Sequence, residues 1–148
     1  MAGAPALPQI IQEANPSDAD MRALGDKLNA YNEAHAGPLN FERVFFSVRD
    51  AEGSLVGGLL GATYWGWLFV SVLYVDEALR GTGLGGALLA RAETLALERG
   101  VTHAFLDTFS FQAEPFYAAR GYAVFGSLGG FPAGHRRMWM SKTLRAPD

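Results

Sequence analysis

Cysteine is absent from this chain of 148 residues. Its absence excludes disulfide bonds, thiolate nucleophiles and zinc sites built on cysteine. Histidine is also scarce, because only His35, His103 and His135 are present, and they are not spaced as metal ligands are. The sequence therefore predicts a protein without a metal ion. The lack of cysteine fits a reducing compartment, and we expect a cytoplasmic location.

Positive charge is scarce as well. Lys and Arg together number 12 against 15 Asp and Glu, which gives a formal net charge of −3. No run of basic residues is long enough to neutralise a series of phosphates, so nucleic acid is not an expected partner. The N-terminal segment MAGAPALPQ has neither a basic stretch nor a sustained apolar one, and we expect no secretory signal there.

One uncharged segment, residues 53–75, is long enough by hydropathy alone to span a bilayer. It contains glycine at five positions and is rich in aromatic and β-branched residues, which are typical of strands. We interpret it as two buried strands, and a membrane is therefore not an expected partner.

The patterning of apolar and polar residues predicts a single domain over residues 1–148, with an α/β fold built on a mixed, mostly antiparallel sheet with flanking helices. The parallel crossover lies between the fourth and fifth strands. Strands 54–65 and 67–75 are apolar throughout and are expected to be covered on both faces. The predicted elements are a strand at 8–14, a helix from Ser17 to Ala36, strands at 43–49, 54–65 and 67–75, a helix at 84–99, a strand at 101–107, a short helix with Pro115 in its first turn, and strands at 122–128 and 136–144.

Gly81, Gly83, Gly85 and Gly86 stand at the predicted start of a helix. Glycine destabilises helices, so its presence there indicates that the backbone must be bare. Successive N–H groups and the helix dipole together favour a phosphate group at such a position. A flexible turn without any ligand would explain the same glycines.

The same glycines also match the dinucleotide pattern GxGxxG, with Asp107 near the end of the next strand. In a Rossmann fold this loop follows its strand almost directly, whereas residues 76–80 intervene here and three antiparallel strands precede them. A Walker loop is excluded, because no Gly-Lys-Ser or Gly-Lys-Thr occurs. Dinucleotide binding therefore remains only the weaker alternative.

The segment RGTGLG, residues 80–85, resembles the Q/R-x-x-G-x-G/A motif of the GCN5-related N-acetyltransferase (GNAT) family. Downstream, EPFYAARGY is similar to that family's FYxxxGF signature through Phe116, Tyr117, Gly121 and Tyr122. The two motifs stand in the family's order, and the resemblance covers residues 43–144 well. It implies a GNAT-like fold, acetyl-coenzyme A as cosubstrate, and transfer of an acetyl group to an amine.

The resemblance also implies which residues hold the cosubstrate. Backbone N–H groups of the glycine loop would cradle the pyrophosphate, and backbone groups of Leu73 and Val75 would pair with the pantetheine arm. The Val75 N–H would polarise the thioester carbonyl, as an amide aimed at a developing oxyanion does. Ser110 takes the place of an asparagine that often contacts coenzyme A in the family. The implied binding residues are Leu73, Val75, Arg80, Gly81, Thr82, Gly83, Leu84, Gly85, Gly86 and Ser110.

Two residues are predicted to be catalytic. Tyr117 matches the tyrosine that in many family members protonates the departing thiolate, and a phenol with an ordinary pKa of about 10 can donate its proton at neutral pH. Several relatives keep a basic carboxylate on the strand at 67–75, but here Phe69 occupies that place. Asp107 is the remaining carboxylate for the general base, and a water relay is the alternative. A packing role for Tyr117 and a surface role for Asp107 stay open.

The expected acceptor is a small-molecule amine. Tyr64, Trp65 and Trp67 are interpreted as core residues, with a place in the acceptor pocket as the alternative. Arg136 and Arg137 would favour an acceptor that bears a carboxylate, or are simply solvated. Protein amines as acceptors, an acyl-coenzyme A sensor with little catalysis, and assembly as a homodimer are all compatible with the sequence.

Overall fold

A computed structural model describes residues 3–145, and the chain divides between Leu39 and Asn40 into two compact units. The first unit contains helix α1 (Asp18–Ala36), as the sequence predicts. Ser17 caps this helix, because its side-chain oxygen accepts a hydrogen bond from the Asp20 N–H at 3.0 Å. The helix ends at Gly37, whose φ of 86° favours glycine.

The strand predicted at residues 8–14 is wrong, because these residues form neither strand nor helix. A strand needs a neighbour to complete its backbone hydrogen bonds, and the described part of the first unit offers only a helix. Pro8 also lacks the N–H that a strand ladder requires. The assignment of residues 1–148 to one domain stays a prediction.

The second unit is built on a six-stranded sheet. Its elements are β1 (Glu42–Arg49), β2 (Leu55–Tyr64), β3 (Trp67–Val75), a 3₁₀ turn (Glu77–Leu79), α2 (Leu84–Glu98), β4 (His103–Phe109), α3 (Glu114–Ala118), β5 (Ala123–Gly129) and β6 (Arg136–Thr143). The strand order is β1-β2-β3-β4-β6-β5, and every neighbouring pair is antiparallel except β3 and β4. The predicted mixed sheet with its parallel crossover is confirmed. Within residues 3–145, no helix has both the length and the apolar character needed to cross a bilayer.

Helix α2 covers one face of the sheet. The side chains that it buries join Tyr117 of α3 and apolar residues of the strands in one core cluster, which includes Val44, Leu59, Leu68, Leu88, Leu89, Leu106 and Met140. The opposite face is more open. On β3 that face carries Val72 and Tyr74, which are 51% and 52% exposed. The expectation that β3 is covered on both faces is therefore wrong, because the helices of this unit pack on one face.

Strands β3 and β4 pair over only part of their lengths. Parallel pairing joins Trp67–Val70 to His103–Leu106. Beyond it β3 continues after an interruption of its register at Ser71, while β4 stays paired with β6. The two strands thus part at their carboxyl ends. We call the opening bounded by residues 71–75 and 107–109 the strand gap.

A small polar network ties α2 to β6 and to the end of α3. The Tyr122 hydroxyl donates to Glu93 Oε2 at 3.1 Å, and Lys142 Nζ lies 2.7 Å from Glu93 Oε1. The Tyr122 ring meets the Tyr117 ring edge-on at 5.9 Å between centroids. Burial raises the pKa of Tyr122, and the charge of Glu93 together with its hydrogen bond raises it further. The network therefore fixes Tyr122 in its protonated form behind Tyr117.

We expect the Tyr122→Phe variant to lose stability less steeply than the wild type above about pH 10. Because the folded-state pKa of Tyr122 lies above its unfolded value, its contribution is complete below that unfolded value. It is lost as the pH rises, by up to about 1.4 kcal/mol per pH unit. The pKa of Tyr117 is also raised, and its contribution to stability declines with pH in the same way in both proteins. Urea unfolding between about pH 8 and pH 11 measures the difference, and parallel curves would contradict it.

Candidate active site

The loop between β3 and α2 leaves open space in front of its backbone. Gly81 and Gly83 have φ values of 80° and 88°, in the left-handed region that glycine adopts without strain. A Cβ built on either would have no other atom within 4 Å, so backbone conformation and not crowding favours glycine. Helix α2 has neither a side-chain cap nor an acidic residue in its first turn. Its first N–H groups and the positive end of its dipole therefore face a site suited to an anion.

Gly85 and Gly86 admit side chains of the α3 region against α2, and their predicted backbone contacts with the cosubstrate remain predictions. A Cβ at Gly86 would lie 2.7 Å from Arg120 Nη2, and one at Gly85 would lie 3.5 Å from the Phe116 ring. The Arg120 guanidinium lies 3.8 Å from the Phe116 ring centroid and donates to the Phe116 carbonyl at 2.9 Å. It is thereby held at the first turn of α2.

Sequence reasoning missed Arg120, although it stands inside the FYxxxGF-like segment. A cation beside the positive end of a helix is unfavourable in isolation. A bound anion would be stabilised by the guanidinium and by the dipole together. Arg120 is thus a further candidate for contact with phosphate.

Arg80, Thr82 and Ser110 make hydrogen bonds within the protein. Arg80 Nε donates to the Val75 carbonyl at 3.0 Å, and the Thr82 hydroxyl donates to a carbonyl of the 3₁₀ turn at 2.5 Å. The Ser110 hydroxyl accepts from the Arg136 N–H at 3.0 Å. These bonds shape the ends of β3 and β4 around the strand gap. The direct contacts of these residues with a ligand remain predictions.

Leu73 and Val75 lie on the part of β3 that borders the strand gap. Their side chains pack against the core cluster, and β2 pairs with one edge of the strand. The other edge has lost β4 as a neighbour beyond Val70. Backbone groups along that edge are placed to pair with an extended ligand. This placement suits the predicted role of the two residues, which no contact in the structure tests.

Tyr117 lies on the short helix α3, on the α2 side of the sheet. The residue is 7% exposed, and its ring contacts Phe116 edge-on at 5.1 Å. Burial raises the pKa of Tyr117, and the negative charge of Asp107 raises it further. The charge of Asp107 therefore acts on the Tyr117 hydroxyl. It also keeps the Tyr117 hydroxyl protonated at neutral pH.

Asp107 borders the strand gap from β4 and is held by Arg137. Two nitrogens of the guanidinium, Nη2 and Nε, lie 2.6 and 2.8 Å from Asp107 Oδ1. The guanidinium also lies 5.1–5.3 Å from the ring centroids of Phe109, Phe131 and Trp139. Its charge is matched by Asp107, which argues against the expectation that Arg137 selects a carboxylate-bearing acceptor. What sequence reasoning missed is that Arg137 orients the carboxylate.

Comparisons with known proteins agree with this geometry. The model of the acetyltransferase (GNAT) family matches residues 7–122. The acetyltransferase Atu2258 of Agrobacterium fabrum is 36% identical over 133 residues, which are 90% of this chain and 96% of that protein. Blasticidin-S acetyltransferase of Streptomyces morookaense is 45% identical over 83 residues, 55% of this chain and 61% of that protein. The crystal structure of a candidate acetyltransferase from Agrobacterium tumefaciens has a TM-score of 0.86 at 34% identity, and covers 92% of this chain and 99% of that one.

The sheet decides between the two interpretations of the glycine loop. A dinucleotide-binding Rossmann sheet is mostly parallel, whereas here only β3 and β4 run parallel. The family match spans more than half of the sequence, and the first relative is covered almost throughout. The chain therefore belongs to the acetyltransferase (GNAT) family, as an enzyme whose acetyl donor is acetyl-coenzyme A.

Proposed function

We propose that this enzyme transfers the acetyl group to the amine of a small molecule, by direct attack of the amine on the thioester. The observation that carries the proposal is the meeting of three features at the carboxyl ends of β3 and β4. These are the open glycine loop, the strand gap, and the pair of Tyr117 and Asp107. The loop alone would serve binding only. The proton donor and the carboxylate beside the gap supply what the chemical step needs.

The residues present fit the cosubstrate. Gly81 and Gly83 leave the space in front of the loop open to a pyrophosphate, and Arg120 adds positive charge at the first turn of α2. The unpaired edge of β3 along Leu73 and Val75 suits the amide groups of a pantetheine arm. When bound, acetyl-coenzyme A supplies an acetyl group activated as a thioester. The Val75 N–H is the amide that we assign to the thioester carbonyl.

Asp107 and Tyr117 divide the proton transfers between them. An alkylammonium group with a pKa of about 10 has no lone pair, so it must lose a proton before it attacks. Asp107 takes this proton, directly or through water, while Arg137 holds its other oxygen. The amine nitrogen bonds to the acetyl carbon as the carbon–sulfur bond breaks, and Tyr117 donates its proton to the sulfur. The acylated nitrogen releases its second proton to water, which leaves a neutral amide. The raised pKa of Tyr117 then favours return of the proton from Asp107, which completes the cycle.

A small-molecule acceptor is supported by the kinship with a blasticidin-S acetyltransferase, whose name states an acceptor of that size. The similarity covers 61% of that protein, so we infer for this chain only that the acceptor is a small molecule, and not which one. A protein amine as acceptor and a sensor with little catalysis are the two alternatives. The pairing of Asp107 Oδ1 with Arg137 is the observation that favours the sensor, because it occupies part of the proposed base.

We expect the enzyme to release free thiol from acetyl-coenzyme A when small primary amines are present, and to form the acetylated amine in equal amount. A thiol reagent follows the release, and mass spectrometry identifies the product. The panel should include a peptide with a free N-terminus. Turnover of the peptide alone would favour the protein acceptor. Binding of acetyl-coenzyme A without turnover of any amine would favour the sensor.

The matched control for this experiment is Asp107→Asn, which keeps the shape of the side chain and removes its capacity as a base. Its kcat/KM at neutral pH should fall by about 10²-fold or more. Without the base, the rate should follow the fraction of free amine and rise about tenfold per pH unit below the pKa of the acceptor. Acetyl-coenzyme A should still raise the melting temperature of this variant. If the Asp107→Asn variant kept the pH profile of the wild type, water and not Asp107 would be the group that removes the proton from the amine.

A further inference from the structure

The face of the sheet opposite α2 carries a cavity of about 390 Å³ that is lined almost wholly by aromatic rings. Its walls are Tyr64, Trp65, Trp67, Phe105, Phe125 and Ser141, none of which is charged. Trp65 is 40% exposed, and Tyr64 and Trp67 are half-buried. The interpretation of these three residues as core residues is therefore wrong for Trp65. An open aromatic surface of this size on a water-facing sheet is suited to an apolar ligand.

The cavity adjoins Asp107, the proposed base, along β4. Phe105 precedes Asp107 by two positions, so both side chains lie on the same face, roughly 7 Å apart along the strand. On β6, Ser141 pairs with Phe105, and Trp139 pairs with Asp107. Phe69 extends the wall toward β3, since its ring stacks on Phe105 at 4.8 Å between centroids. The floor of the cavity is thus continuous with the side of the strand gap where Asp107 lies.

The packing of the rings favours a flat ligand. Phe69 covers one face of Phe105, and His103 lies 4.8 Å from the Trp67 ring centroid. Trp67 and Phe105 themselves meet at 74°, with centroids 5.9 Å apart. Each of these two rings therefore has one side already occupied by a neighbouring ring. A cation cage needs several free ring faces around one point, whereas Phe69 and His103 already occupy one face of each of these rings. A ligand ring that lies face to face with one ring of the pair meets the other edge-on, and both geometries are favourable between aromatic rings. We call this pair of rings the shelf.

The turn between β2 and β3 places Trp65 at the cavity. Trp65 has a φ of 45°, and Gly66 follows with a φ of 78°. Two positive φ values in a two-residue hairpin turn suit asparagine and glycine, and a bulky residue is unusual there. The strained tryptophan lines the cavity. The Trp65 side chain is thus one wall of the cavity, where a ligand would meet it.

We propose that this cavity is the subsite for the body of the acceptor, and that the acceptor is a primary amine carrying a flat, uncharged aromatic or heteroaromatic ring. The ring stacks on one ring of the shelf formed by Trp67 and Phe105 and meets the other edge-on, beside Trp65. The amine then lies beside Asp107, roughly 7 Å away along β4. This inference rests on the proposed function, because it names the acceptor class of the same reaction.

The test compares two amines that differ only in the flatness of their ring. Phenylbutylamine and cyclohexylbutylamine, each with the ring at the far end of the chain, have similar size and apolar character. With the full-length enzyme and acetyl-coenzyme A, kcat/KM should be about 3- to 10-fold higher for the phenyl compound, because only the planar ring stacks. Phe105→Leu should bring this ratio close to one. Phe45→Leu, an exposed residue of β1 that does not line the cavity, should leave it unchanged.

A second measurement does not depend on any variant. Benzamide has a flat, uncharged ring and no amine to acetylate, so it should compete with phenylbutylamine in the wild type. Its binding should also change the intrinsic fluorescence, because Trp65, Trp67 and Trp139 are the three tryptophans of the chain and all lie on this face. Tetramethylammonium should neither compete with phenylbutylamine nor change the fluorescence. Inhibition by this cation and not by benzamide would show that the cavity is a cation cage.

The outcomes separate this inference from the proposed function. Failure to acetylate any amine would overturn the proposed function. Equal kcat/KM values for the two amines, together with no effect of benzamide, would overturn the inference while leaving the function standing. If benzamide acted on the monomer and not on a dimer, the cavity would be an interface between copies of the chain. That result would also overturn the inference.

Discussion

The Tyr117→Phe variant should bind acetyl-coenzyme A as tightly as the wild type and transfer the acetyl group about 10²-fold more slowly. The substitution keeps the ring and its edge-on contacts with Phe116 and Tyr122, so packing at this buried position changes little. It removes only the hydroxyl. Burial and the charge of Asp107 raise the pKa of that hydroxyl, so it holds its proton until the leaving sulfur becomes a strong enough acceptor. The loss should therefore appear in the chemical step.

Single-turnover kinetics isolate that step from product release, which limits the overall turnover rate of many enzymes. Tyr122→Phe is the matched control, since it removes the neighbouring buried hydroxyl, which is bonded to Glu93. Measured well below its melting temperature, its single-turnover rate should stay near that of the wild type. An unchanged rate in Tyr117→Phe would make Tyr117 a packing residue. A loss of affinity without a loss of rate would make it a binding contact.

The sheet could be predicted from local patterns because each strand carries its own signal. Alternation in β1, the uninterrupted apolar runs of β2 and β3, and the glycines between elements place the observed strands within a few residues. The strand predicted at residues 8–14 failed for a physical reason, since its existence would depend on a neighbour that no local pattern specifies. The openness of β3 on one face was missed for a similar reason. Apolar runs indicate that a strand can be buried, not that the chain supplies a helix for each face.

Local sequence likewise predicts some features of the candidate site and not others. Gly81 and Gly83 could be predicted as a bare stretch of backbone, because glycine at a helix start is a local signal. Gly85 and Gly86 were grouped with them, yet they make room for Phe116 and Arg120, which are far away in sequence. Likewise, the Asp107–Arg137 pair depends on the register of β4 with β6. Such contacts follow from tertiary structure, so a single sequence shows the residue types without the pairing.

Gly83→Asp should abolish the rise in melting temperature that acetyl-coenzyme A gives, and Gly83→Asn should keep most of it. Gly83 caps α2 with a φ of 88°, so any side chain costs some stability there. Asparagine and aspartate tolerate this region better than most residues and have the same shape. No atom lies within 4 Å of the new Cβ, so both variants should fold. The two proteins then differ only in the charge that they place at the proposed pyrophosphate site.

That single difference should have a large effect, because a carboxylate at the start of α2 repels a pyrophosphate while an amide can donate to it. By mass action, a ligand at a hundred times its Kd stabilises the folded state by about 2.7 kcal/mol, and a 10²-fold loss of affinity leaves about 0.4 kcal/mol. Thermal unfolding with and without acetyl-coenzyme A measures both values. Added salt should recover part of the binding of Gly83→Asp by screening the repulsion. Equal losses in both variants would point to blocked space in place of charge. Full binding by both would move the pyrophosphate away from this loop.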